Sequence, residues 1–87
     1  MNKQEKINVI NSILFTKKIT GNEKLILIYL CNNDFKVSLK NLDIANFCKI
    51  SPTSVSNCIN HLYKLKILNL VSYNGRIRKL EIDLQYL

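Results

Sequence analysis

Few side chains in this sequence have the types and spacing that chemistry requires. His61 is the only histidine, and no serine, cysteine or carboxylate is spaced to form a hydrolytic set with it. Cys31, Cys48 and Cys58 lack a C-x-x-C spacing and have no histidine cluster nearby. The sequence therefore predicts no enzyme, no metal site and no cofactor. It indicates free thiols, and leaves open whether any of them is redox-sensitive.

The basic residues are distributed as binding to a polyanion requires. The chain carries 13 lysines and arginines against 6 acidic residues, which gives a formal net charge of +7 at pH 7. Between Asp43 and Glu81 there is no acidic residue. The cations of this stretch are Lys49, Lys64, Lys66, Arg76, Arg78 and Lys79. Such a one-signed field favours nucleic acid as a partner, although charge alone also fits a merely basic surface.

Periodicity and capping residues predict the elements that must position these cations. An amphipathic helix is expected from Lys3 to Phe15. Thr20 and Glu23 form a capping box that starts a second, largely apolar helix, which runs from Gly21 to about Cys31. Because its apolar residues cover most of its circumference, this second helix should be central in the core.

A very short strand at Val37 should precede the third helix. Ser38 is the expected cap of that helix, which runs from Leu39 to about Cys48. Its apolar positions include Leu42 and Ala45.

The fourth helix has the strongest start signal in the chain. Ser51 is its expected N-cap and Pro52 its first residue, since a missing N–H costs nothing there. The helix should end near Leu65. Its inward face carries Val55, Ile59 and Leu62.

The last part of the chain predicts a β-hairpin. Two β-prone runs, Leu68 to Tyr73 and Arg76 to Leu84, are joined by Asn74-Gly75, which suits a type I′ turn. Alternation of apolar residues slips around Ile77, so a bulge or a frayed tip is expected there.

These elements and the segment from Asp43 to Ser56 resemble the winged helix-turn-helix family of bacterial DNA-binding regulators. The match includes a small residue at Ala45, a core residue at Ile50, the Ser51 cap and the core Val55. The segment from Leu62 to Leu68 is similar to the family's passage from the recognition helix into the wing, and the resemblance covers Thr20 to Leu84. The family commonly has glycine where this chain has Lys49 and Lys66, so both positions are expected to need a positive φ.

The predicted fold is mainly α-helical with a small β-hairpin, a winged helix-turn-helix with an extra N-terminal helix. One domain of residues 1–87 is expected to contain that helix (1–16), a helical core with the helix-turn-helix (20–66) and a wing (67–84).

The resemblance assigns DNA contacts to the fourth helix, the turn before it and the wing. At 100° per residue, the outward face of the fourth helix carries Thr53, Asn57, Asn60 and Lys64. The flanking candidates are Ser51, Ser54, Ser56 and His61. The candidates in the turn and wing are Lys49, Tyr73, Asn74, Arg76, Arg78 and Lys79. Asn57 and Asn60 could read adenine edges in the major groove, while the wing arginines reach the minor groove or the phosphates.

Dimerisation is expected, because one winged helix reads only a few base pairs. The candidate contacts are Ile7, Ile10, Ile13, Tyr86 and Leu87. An equally good interpretation is that they close the core.

The resemblance implies sequence-specific binding of double-stranded DNA and leaves the biological role open. The candidates are a small transcriptional regulator, the DNA-binding part of a replication initiator, and a centromere-binding adaptor similar to the TubR type, which recruits a filament-forming partition protein. A protein-interaction module without DNA binding is the alternative from another class. Isoleucine, asparagine and lysine supply 35 of the 87 residues, a bias that is typical of AT-rich coding sequence and suggests a low-GC bacterium, its phage or its plasmid. The sequence shows no secretory signal or membrane span, so a cytoplasmic location is expected.

Overall fold

The computed structural model describes residues 1–38 and 40–87, and this part of the chain is mainly helical with a small antiparallel sheet. In chain order the elements are α1 (Lys3–Phe15), α2 (Gly21–Asn32), β1 (Lys36–Ser38), α3 (Leu42–Cys48), α4 (Pro52–Lys64), β2 (Leu68–Asn74), β3 (Ile77–Ile82) and a 3-10 turn (Leu84–Tyr86). Within the described ranges, no helix has the length and apolar character needed to cross a membrane.

Capping side chains fix the starts of α2 and α4 where the sequence predicts them. The Thr20 hydroxyl accepts a hydrogen bond from the Glu23 N–H at 3.3 Å, and the Glu23 carboxylate accepts one from the Thr20 N–H at 3.0 Å. The Ser51 hydroxyl accepts from the Ser54 N–H at 3.1 Å, with Pro52 as the first residue of α4. Both caps satisfy N–H groups that have no partner inside the helix.

The predicted start of α3 is wrong. Ser38 belongs to β1, where it pairs with Ile77, and it lies three residues before Asn41, the residue that actually precedes α3. Its hydroxyl instead accepts from the Lys40 N–H at 3.2 Å. The predicted first residue, Leu39, lies outside the described residues, and α3 begins at Leu42. Leu42 is exposed rather than in the core, because the inward face of α3 consists of Ile44, Ala45 and Cys48.

Three of the helices are followed by a residue with a left-handed backbone conformation, and none of these residues is glycine. Asp34 follows α2 with φ 55°, Lys49 follows α3 with φ 59°, and Lys66 follows α4 with φ 63°. After α4, the Lys66 N–H donates to the Tyr63 carbonyl at 3.0 Å and the Ile67 N–H to the Leu62 carbonyl at 3.1 Å, which is a Schellman motif. The positive φ expected at Lys49 and Lys66 is confirmed.

One buried apolar cluster joins all four helices to the sheet. Its fully buried members include Ile13, Ile26, Leu27, Leu30, Val55, Leu62, Ile67 and Leu68. The predicted inward stripe of α4 is therefore confirmed. Ile13 is wrong as a dimer contact, because its exposed fraction is 0% and it packs in this cluster.

The sheet has three strands in the order β1-β3-β2, so β3 is central and β1 joins the predicted hairpin. Asn74 pairs with Ile77, which makes Gly75 and Arg76 the two-residue loop and Gly75 its left-handed member, with φ 68°. The predicted Asn74-Gly75 loop is thus wrong by one residue. The bulge lies at Val71 in β2 rather than at Ile77, and this extra residue shifts the pairing so that the loop falls later.

Candidate nucleic-acid interface

The exposed face of α4 is polar and nearly uncharged. Thr53, Asn57, Asn60 and Lys64 all have exposed side chains, on the side opposite Val55, Ile59 and Leu62. Their amide and hydroxyl groups can both donate and accept hydrogen bonds. The helix therefore presents a continuous stripe suited to hydrogen bonding with a polar partner.

The three serines at the start of α4 already have partners inside the chain. The Ser51 hydroxyl caps the helix and donates to the Ser54 hydroxyl at 3.0 Å. The Ser56 hydroxyl accepts from Nδ2 of Asn41, the residue before α3, at 3.0 Å. These serines thus shape the helix and its contact with α3, while retaining spare acceptor or donor capacity.

His61 pairs with a buried carboxylate that the sequence did not connect to it. Its Nδ1 lies 2.5 Å from Oε2 of Glu23, a residue with an exposed fraction of 2%. The other oxygen of Glu23 accepts from Thr20, so one carboxylate both caps α2 and holds α4. The prediction of a freely solvated or phosphate-contacting histidine is wrong for Nδ1, although half of the side chain is exposed.

Arg78 is buried, and its predicted role as a DNA contact of the wing is contradicted. Its exposed fraction is 8%, because it lies on the inner face of β3 together with Leu80. Its guanidinium donates from Nη2 to Oδ1 of Asn41. Asn41 thus links Arg78 on β3 to Ser56 on α4. The Nε of Arg78 is buried without a hydrogen-bond partner among the described residues.

These contacts hold α4 on both flanks of its exposed stripe. At 100° per residue, Ser56 and His61 lie on opposite sides of the line through Asn57 and Lys64. Ser56 is bonded to the loop before α3, and His61 to α2. The exposed stripe therefore has a fixed orientation relative to the sheet and the core.

The tip of the hairpin carries exposed cations, one of which the sequence analysis missed. Arg76 lies in the two-residue loop and is exposed, as predicted. Lys40, which follows β1, shares a surface depression of about 610 Å³ with it, lined by Ser38, Lys40, Gly75 and Arg76. Only the pairing of β1 with β3 brings Lys40 to this position, and that long-range pairing has no local sequence signal.

The remaining predicted contacts in the turn and the hairpin are exposed. They are Lys49, Tyr73, Asn74 and Lys79. Lys79 lies on the outer face of the sheet, directly opposite Lys36 of β1, a second cation that the sequence analysis missed. The structure thus divides the predicted cations of the hairpin into an exposed set and the buried Arg78.

Most of the positive charge is not neutralised within the chain. Among the lysine and arginine side chains in residues 1–38 and 40–87, only Lys6 forms an ion pair, with Asp34 at 3.3 Å. The exposed cations of the sheet and the helix ends therefore generate a positive potential that attracts polyanions.

The cysteines give no sign of nucleophilic or metal chemistry. Cys31 and Cys48 are buried, Cys58 is half-buried, and all three are free. Burial raises the pKa of each thiol above its ordinary value, so the unreactive protonated form is favoured. The described residues contain no group of three or more histidines, cysteines or carboxylates placed to hold a metal ion.

Comparisons with protein-family models, with curated proteins and with solved structures find no match to this chain.

Proposed function

We propose that this chain is a winged helix-turn-helix protein that binds double-stranded DNA. The observation that carries the proposal is the exposed stripe of α4, which is polar, nearly neutral and held on both flanks. The order of α3, a three-residue turn, α4 and a hairpin supports the same interpretation. In this proposal α4 is the recognition helix and the β2–β3 hairpin is the wing.

The recognition helix would read bases through its amides. Asn57 and Asn60 lie on adjacent turns of α4, and an asparagine amide can donate to N7 and accept from N6 of adenine in the major groove. Thr53 lies nearest the N-terminus of α4, where main-chain N–H groups and the helix dipole favour a phosphate. Lys64, at the other end, would contact a phosphate of the same groove.

The wing and its surroundings would supply affinity that does not depend on sequence. Arg76 and Lys40 form an exposed pair of cations at the hairpin tip, where a phosphate backbone can reach both. The helix reads bases while these cations bind the backbone, which is the usual division between specificity and affinity.

The proposal includes a dimer that pairs through α1 and the end of the chain. The Thr16 hydroxyl donates to the main-chain oxygen of Leu87 at 2.7 Å, so two distant segments form one surface. Phe15, next to Thr16, has an exposed fraction of 81%, and Tyr86, next to Leu87, has one of 37%. Ile7, at 42%, extends the apolar area along α1, whereas Ile10 and Leu87 are partly packed against the core. Exposed apolar area of this kind commonly marks an interface. The resulting dimer would act as a small regulator or as a centromere-binding adaptor.

A binding titration at several salt concentrations tests DNA binding. Fluorescence anisotropy with random 30-base-pair duplexes should show binding at about 50 mM salt that weakens steeply as salt rises. The absence of binding at low salt would contradict the proposal. Selection of bound duplexes from a random pool then supplies a preferred sequence.

A matched pair of asparagine variants tests the recognition helix. Asn57→Ala should reduce the preference for the selected sequence by about 5- to 150-fold, the loss expected for one bidentate base contact. Asn22→Ala removes an exposed asparagine at the start of α2 and should leave the affinities for selected and for random duplexes unchanged. Equal losses on selected and random DNA in Asn57→Ala would exclude a base-reading role.

A further inference from the structure

The outer face of the sheet carries two lysines whose positions are costly for folding. Lys36 of β1 and Lys79 of β3 are directly opposite each other in the antiparallel register. Residues paired in this way have Cα atoms about 5 Å apart, and like charges there destabilise the sheet. In the described part of the chain neither lysine forms an ion pair, and Glu81 on the same face lies opposite Asn69 in the register. Among the described residues, no ion pair thus offsets this repulsion.

This pair belongs to a concave site on the side of the sheet that faces away from the helices. The inner face is occupied by Val37, Arg78 and Leu80, all buried, so Lys36 and Lys79 point outward. They line a depression of about 300 Å³ together with Ser72, Tyr73, Asn74 and Ile77. A bound anion would offset the repulsion between the two ammonium groups, and the hydroxyl and amide groups can hydrogen-bond to its oxygens.

We propose that this outer face, centred on Lys36 and Lys79, binds the phosphate backbone of a second DNA segment. The inference rests on the proposed DNA binding by α4 and goes beyond it. The charge continues from the hairpin tip, where Lys40 and Arg76 meet the first duplex, onto this face. A phosphodiester strand carries one negative charge per nucleotide, so it offers successive charges to cations that lie close together. Because α4 lies in the layer on the inner side of the sheet, the two surfaces face different directions, and one molecule can bridge two duplexes.

Capture of a second duplex on beads tests the proposal. Beads carrying one unlabelled duplex are incubated with the protein and then with a fluorescent duplex of the same selected sequence. The wild-type chain should retain fluorescence on the beads, and Lys36→Gln/Lys79→Gln should lose most of it. Because Lys79 is also a predicted contact of the wing, Lys36→Gln is the variant compared for binding of one duplex. In anisotropy it should bind one duplex at low protein concentration within about 3-fold of wild type, and it should still retain less fluorescence on the beads.

Controls separate this site from the other surfaces. Lys3→Gln/Lys17→Gln removes the same charge from exposed positions near the two ends of α1 and should keep the capture. If a dimer bridged DNA through its two copies of α4, the outer-face variant would also keep it, and the proposal would be overturned. Binding of one duplex by the wild-type chain without capture of a second overturns this inference and leaves the proposed function intact. If the wild-type chain binds no duplex at all, both the proposed function and this inference are wrong.

Thermal unfolding gives a measurement that does not involve DNA. Removal of the two facing charges should raise the unfolding temperature of Lys36→Gln/Lys79→Gln, more at low than at high salt. Added duplex should stabilise the wild-type chain more than this variant. An unfolding temperature that falls equally at all salt concentrations would mean that the two lysines stabilise the sheet, and the proposal would be wrong.

Discussion

Arg76 and Arg78 are two residues apart, yet the structure predicts that only the removal of Arg76 changes the salt dependence of DNA binding. Arg76 is exposed in the loop of the hairpin, and Arg78 is buried against the core. The logarithm of the binding constant falls with the logarithm of salt concentration, with a slope of about 0.9 for each neutralised phosphate. Arg76→Met should therefore reduce this slope by about 0.9. Between 50 and 200 mM salt, the variant then loses about 3.5-fold less affinity than the wild-type chain does.

Arg78→Met should leave the slope unchanged, because a guanidinium with an exposed fraction of 8% cannot release a counterion from a phosphate. Its effect on stability combines two opposed terms. The lost hydrogen bond to Asn41 costs about 1.5–3 kcal/mol, while the removal of a buried cation without a carboxylate partner recovers a comparable amount. The net change in the free energy of unfolding should be below about 2 kcal/mol.

Salt titrations by fluorescence anisotropy, together with urea unfolding, measure both quantities. Arg78→Met should bind less tightly at every salt concentration, because Asn41 and Ser56 no longer tie the hairpin to α4. A drop of about 0.9 in its slope would refute the reasoning, since Arg78 would then reach a phosphate in the complex.

Three further predictions concern the stability of the fold. Ile13→Ala should cost about 2–5 kcal/mol in urea unfolding, because it leaves a cavity in the core, whereas Ile7→Ala on the exposed side of α1 should cost less than about 1 kcal/mol. Lys66→Gly should raise the free energy of unfolding by up to about 1 kcal/mol, because glycine adopts φ 63° without strain; a loss would show that the lysine stem contributes packing. Because burial raises the pKa of the thiols, they lose their protons at lower pH in the unfolded chain than in the folded one. The contribution of the protonated thiols to the free energy of unfolding is therefore complete below the thiol pKa of the unfolded chain and is lost as pH rises above it. Urea unfolding at pH values from 7 to 10 should therefore show a decline that is shallower in Cys31→Ala/Cys48→Ala, and an equal decline would exclude the thiols as its cause.

Local signals in the sequence predict the helices that begin with caps. The bounds of α1, α2 and α4 are correct to within one residue. For α2 and α4 this is because Thr20, Glu23, Ser51 and Pro52 act within one turn of the chain. The predicted start of α3 and the predicted loop of the hairpin are wrong, since both depend on the register in which the strands pair. Pairing of Ser38 with Ile77 and the extra residue at Val71 are decided by contacts between distant segments.

The burial of Arg78 could have been predicted from the sequence, whereas the pairing of His61 with Glu23 could not. Side chains alternate along a strand, so Arg78 must share a face with the apolar Leu80, which is buried. The charge of the arginine and its place beside a turn favoured an exposed position instead. Glu23 and His61, by contrast, are 38 residues apart, and only the packing of α2 on α4 brings them together.

The two polar ties on α4 explain how a nearly neutral helix can serve as the specific part of the proposed interface. Hydrogen bonds to bases give discrimination only when the amides are already held in position, because ordering a mobile helix would consume the free energy that each contact provides. Ser56 and His61 restrain α4 against rotation about its axis, one from the side of α3 and β3 and one from α2. Both ties use side chains at the edges of the exposed stripe, so Thr53, Asn57 and Asn60 stay free for a partner. The buried Arg78 belongs to the same arrangement, because it fixes Asn41 and thereby relates the direction of the hairpin to that of the helix.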